Sequence, residues 1–109
     1  MSSRLELLLQ YYAEDPHDAF TRFALATEYI KKGELGKGLE WFVGLTKDQP
    51  DYVGTYYHLG KLYEQLERTD EAILTYEQGI RVAQAANDLH ARAELQSALL
   101  EAQGLGFDD

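Results

Sequence analysis

The chain has 109 residues, 45% hydrophobic and 12% aromatic, enough to build a core and too apolar for a solvated tail. Its 19 acidic residues against 10 basic give a net charge of −9, and its one basic cluster is Lys31, Lys32 and Lys37, so neither nucleic acid nor an anionic membrane is an expected partner. There is no cysteine, no run of the ~20 apolar residues a membrane span requires and no signal-peptide pattern after Leu7-Leu8-Leu9, and a cytoplasmic location is expected.

Residues 1–15 predict a flanking helix, carried by Leu5, Leu7, Leu8, Leu9, Tyr11 and Tyr12 over 3–13. After Pro16, the positions Phe20, Phe23, Ala24, Tyr29 and Ile30 keep helical spacing up to a break at Gly33. A helix with Leu39, Trp41, Phe42 and Leu45 follows and stops before Gln49-Pro50. The next carries Tyr56, Leu59, Leu62 and Tyr63. The one after it is expected to open on Thr69 as N-cap and to run through Ala72, Ile73, Tyr76 and Ile80. Residues 87–103 predict a capping helix with Leu89, Ala93, Leu95, Ala98 and Leu99, and 104–109 a flexible tail. No segment alternates with period two between hairpin turns, so the fold class is all-α.

Those elements repeat. The two prolines, Pro16 and Pro50, are 34 residues apart. The same lag pairs Thr21 with Thr55, Leu25 with Leu59, Tyr29 with Tyr63, Ala26 with Gly60, Gly38 with Ala72 and Phe42 with Tyr76. Large residues meet large and small meet small, which is the signature of packing positions in a repeated helical hairpin.

On these residues the chain resembles the tetratricopeptide repeat (TPR) family. Its pattern of a large residue, Leu-Gly, Tyr, a small residue and an aromatic is met by Tyr56, Leu59-Gly60, Tyr63, Ala72 and Tyr76. The first unit shows Leu25-Ala26, Tyr29, Gly38, Phe42 and Pro50, but carries Arg22 where a large residue is usual and Leu45 where a small one is. In the second unit Gln84 replaces the closing proline, so that helix is expected to run on. The resemblance implies an α-solenoid of about six helices: two repeats, about 17–50 and 51–85 within 16–86, with a flanking helix at each end.

The three histidines, His17, His58 and His90, have no metal-ligand spacing, and no phosphate loop or nucleophile elbow is present. The expectation is a non-catalytic protein with no metal and no cofactor. The resemblance implies instead a concave groove for a protein or peptide, lined by the first helix of each unit. Carried over by position, its candidates are Phe20, Phe23, Thr27 and Ile30, then Gly54, Tyr57, His58, Lys61 and Glu64, with Arg92 and Leu95 from the capping helix. Lys61 and Arg92 would be sparse basic points in an apolar groove. The clamp with which one TPR subclass grips chaperone C-termini corresponds to Phe23, Thr27, His58, Asp88 and Arg92; only Arg92 fits, and Asp88 would repel a carboxylate. The alternative is a self-associating, homodimeric scaffold, with Trp41 a convex surface residue or an interface anchor.

Overall fold

In a computed structural model, residues 3–104 are described, so the tail expected over 104–109 lies outside the described residues apart from Gly104. The described residues form six helices: α1 (Arg4–Glu14), α2 (Ala19–Lys31), α3 (Leu35–Asp48), α4 (Gly54–Gln65), α5 (Thr69–Ala85) and α6 (Leu89–Ala102). This is the expected all-α array. It divides into two compact units, Met1–Gln49 with α1 to α3 and Pro50–Asp109 with α4 to α6.

In the first unit, α1 starts on a capping box. The Ser3 hydroxyl accepts from the Glu6 amide and the Glu6 carboxylate accepts from the Ser3 amide, both at 3.1 Å. The helix buries Leu8 against Ala24, Leu25 and Tyr29 of α2, with Leu5, Tyr12 and Trp41 packed around them. Asp18 caps α2, its carboxylate accepting from the Thr21 amide at 3.0 Å and the Thr21 hydroxyl at 2.6 Å. At the far end of α2, Gly33 takes a φ of 83°, a left-handed turn that glycine adopts without steric cost. The hairpin closes tightly: a Cβ on Gly38 would stand 2.5 Å from Cγ1 of Ile30. Phe42 and Leu45 are fully buried.

The second unit is built on two tyrosine–glycine contacts. A Cβ on Gly60 would lie 2.2 Å from the ring of Tyr76, and one on Gly79 would lie 2.5 Å from Cβ of Tyr56. Both rings are fully buried with Ala72, Ala83, Leu95 and Ala98. The Tyr56 hydroxyl donates to the Pro50 carbonyl at 2.5 Å, and the Tyr76 hydroxyl donates to the Glu64 carboxylate. Burial, and then the Glu64 contact, push the Tyr76 phenol far above its ordinary pKa.

Two local expectations are corrected. Thr69 is the first residue of α5 rather than its cap. Arg68 holds the cap position without a side-chain cap bond, and its guanidinium binds the Glu71 carboxylate through two 2.5 Å hydrogen bonds. Trp41 does not stand free on a convex face: its ring meets Tyr12 edge-to-face, with centroids 4.8 Å apart, in the core that α1 covers. The run-on beyond Gln84 is present, since α5 has 17 residues against 14 in α3.

Candidate functional site

Helical geometry gathers the side chains of one cleft. On α6, His90, Glu94, Ser97 and Glu101 recur every three or four residues and so share a face. Ala93 and Ala98 flank that stripe. From α4, Tyr57 stands across from it, and together these residues line a cleft of about 380 Å³. Tyr57 is half-buried, and Lys61 holds its ammonium 5.5 Å above the centre of the Tyr57 ring. The same ammonium lies 3.9 Å from Glu64 and 3.9 Å from Glu101, tying α4 to the end of α6.

His58 packs its ring edge-to-face on Tyr57, 5.6 Å between centroids. Partial burial lowers its pKa from 6.5, against a smaller upward pull from Glu94. His90 lies 3.5 Å from Glu94, a contact that becomes an ion pair only when the imidazole is protonated. Two carboxylates, Glu94 and Glu101, line the cleft, and Lys61 bridges Glu101 to Glu64, whose carboxylate also accepts from the Tyr76 hydroxyl. Among the described residues no cluster of three or more histidines and carboxylates could hold a metal ion.

The two basic points expected from the sequence fare differently from the reading that placed them. Lys61 reaches the cleft, but two carboxylates already engage it. Arg92 lies about half a turn of α6 from the Glu94 and Glu101 face. Its Nε atom is buried without a hydrogen-bond partner. Leu95 is not a lining residue at all: it is 1% exposed and packs on Gly79 and the buried rings. α5 has 17 residues against 14 in α3, and the buried positions of α6, Leu95 and Ala98, do not fall on the 34-residue lag from the buried positions of α4. The cleft-lining residues Glu94, Ser97 and Glu101 were missed by the sequence reading. The extra length of α5 was readable; the facing of the next helix was not.

In the first unit the four candidates follow one stripe of α2. Phe20 is the most open, at 61% exposure. Phe23 lies edge-to-face on Phe42 with centroids 5.7 Å apart. The Thr27 hydroxyl donates to the Ala24 carbonyl at 2.9 Å, and Ile30 covers Gly38. Thr27 is bonded within its own helix and Ile30 closes on α3; both are half-buried, as is Phe23, and Phe20 alone of the four is exposed.

A family model for the tetratricopeptide repeat matches residues 53–85. A tetratricopeptide repeat domain protein from Salinibacter ruber, solved in solution, is 53% identical, covers 87% of this chain and 96% of its own length, and superposes with a TM-score of 0.80. The chain belongs to the tetratricopeptide repeat family. A crystal structure of a TPR domain protein from the same organism agrees, at 55% identity over 81% of this chain and 99% of that one, TM-score 0.77. A protein from Bordetella parapertussis shares the fold at 23% identity, with 95% of this chain and 90% of that one covered and a TM-score of 0.80. No curated protein matches the chain. The TPR fold is that of a protein–protein interaction module, and its family is in general non-catalytic. No described helix is long and apolar enough to cross a membrane.

Proposed function

We propose that this TPR module docks a segment of a partner protein in the cleft between α4 and α6. The observation that carries this is a half-open aromatic ring, Tyr57, set beside alanines 93 and 98 and rimmed by polar groups at protein-peptide scale. An apolar floor with a few placed polar side chains is what a recognition site requires. Phe20 and Phe23 of the first unit are a further contact surface for the same partner class.

The test is a selection of binding peptides from a displayed library, followed by affinity measurement on Tyr57→Ala. Tyr57 supplies the largest side chain of the cleft, and truncating an aromatic anchor costs about 2 kcal/mol or more of binding. Unchanged affinity in Tyr57→Ala, with the helical signal intact, would move the docking site elsewhere.

A second reading, self-association, rests on α1. Leu7 and Tyr11 stand one turn apart on that helix and are 40% and 47% exposed. They, and not Trp41, are the residues through which two copies would meet.

A further inference from the structure

We infer that the occupant of the α4/α6 cleft is a cationic, arginine-bearing segment of an extended polypeptide; this rests on the docking reading above and gives it a chemistry. The helical stripes set the charge. Glu94 and Glu101 project from one face of α6, and Glu64 lies two turns after Tyr57 on α4. One cation already occupies this arrangement from within the chain: Lys61, shared at 3.9 Å between Glu64 and Glu101 and held over the Tyr57 ring. The cleft is thus shaped to receive a positive group on an aromatic face between carboxylates, and it still carries a net excess of negative charge. Glu94, at the other end, lies 3.5 Å from the His90 imidazole and acts electrostatically on His58.

Arg92, the basic residue nearest to Glu94 in sequence, is turned to the opposite side of α6. The surrounding field has the same sign, since residues 51–109 hold 11 of the 19 acidic residues and 4 of the 10 basic ones. A guanidinium suits the site better than an ammonium. Lys61 already holds the Tyr57 ring, and a guanidinium's fork binds a carboxylate such as Glu94 through two parallel hydrogen bonds. Ala93 and Ala98 carry only methyl groups and leave room for a modest apolar side chain beside the arginine. In an extended strand, residues two apart share a face, so the matching segment alternates basic and apolar residues in register with the cleft.

The experiment uses the full chain and three labelled octapeptides that alternate leucine with arginine, glutamine or glutamate, read by fluorescence anisotropy and by amide chemical-shift mapping. The arginine peptide is expected to bind and to shift amides of Tyr57, Glu94 and Glu101. The variant Glu94→Gln/Glu101→Gln is expected to weaken it about tenfold, the scale of a close charge-assisted pair. A control, Glu14→Gln/Glu67→Gln, removes the same charge from exposed positions outside the cleft and should change binding little. Equal weakening by the control would mean that overall charge, not the cleft, attracts the peptide, and would overturn the inference. Equal binding of the glutamine or glutamate peptide with the same amides shifted would also overturn it, while leaving the docking reading in place. If library-selected peptides bind without disturbing the cleft amides, both readings fall together.

Discussion

Gly60 shows how much one missing side chain decides. Glycine inside a helix costs about 1 kcal/mol relative to alanine, so alanine at an open position of α4 would stabilise it. Here the alanine Cβ would stand 2.2 Å from the ring of Tyr76, which is fully buried and cannot swing away. Forced overpacking of this kind costs about 1–3 kcal/mol, and a branched side chain more. Thermal denaturation of Gly60→Ala and Gly60→Leu is therefore expected to give falling melting temperatures in that order. A Gly60→Leu protein as stable as the parent would mean that the helices do not meet there. His58 offers a pH test at the same scale. Its folded pKa lies below 6.5, so as pH falls the unfolded chain takes up the proton before the folded one does. The contribution of His58 to stability is intact above 6.5 and declines as pH drops from there through the lower folded value. His58→Asn should flatten part of the loss of melting temperature measured below pH 6.5; a pH profile superimposable on that of the parent protein would count against the partial desolvation of this imidazole.

At the level of the helix, α1 is an integral part of its unit. Leu8 is buried under it, and Tyr12 packs on Trp41, the only tryptophan of the chain. Deleting residues 1–14 should therefore move tryptophan emission to longer wavelength and lower the melting temperature, because the indole loses its cover. Unshifted emission would show that α1 does not cover the indole. Helices were the legible layer of this molecule. The 3.6-residue spacing of Leu25, Tyr29, Leu59 and Tyr63 and the breaks at Gly33 and Pro50 announce them, since apolar periodicity is written directly in the residues. Contacts between a repeat and its flanks were not legible. Trp41 looked unengaged because the 34-residue lag compares repeats with each other and says nothing of α1, which lies outside both. Thr69 looked like a cap because its hydroxyl suits that role; the Arg68–Glu71 pair fastens the start of α5 by another route. Arg92 and Leu95 were placed by that lag, which α6 does not keep. Tyr57, on a helix that does keep it, lines the cleft, and Lys61 sits over its ring.

Across the whole molecule, charge works against indiscriminate association and leaves apolar surface to act selectively. A net charge of −9 keeps like copies apart at low ionic strength. If Leu7 and Tyr11 form a contact between copies, light scattering should show a mass that rises toward the dimer as salt screens this repulsion, and Leu7→Ser/Tyr11→Ser should abolish the rise. A monomer at every salt concentration would end the self-association reading and leave the cleft as the interaction surface.

The two repeats solve one packing problem with opposite assignments of bulk. In the second, Tyr56 fills the interior and Gly79 makes room for it. In the first, the matching positions hold Arg22 and Leu45: the leucine is fully buried, and the arginine, 8% exposed, passes beside Gly44 to reach Asp48 at 2.9 Å. The backbone is therefore modular while the side chains are not. A crossover that exchanged only half a repeat would set Tyr56 against Leu45, or leave Arg22 facing Gly79 without its aspartate. An exchange of whole 34-residue blocks keeps each pair together, whereas a junction inside a block must carry both of its members.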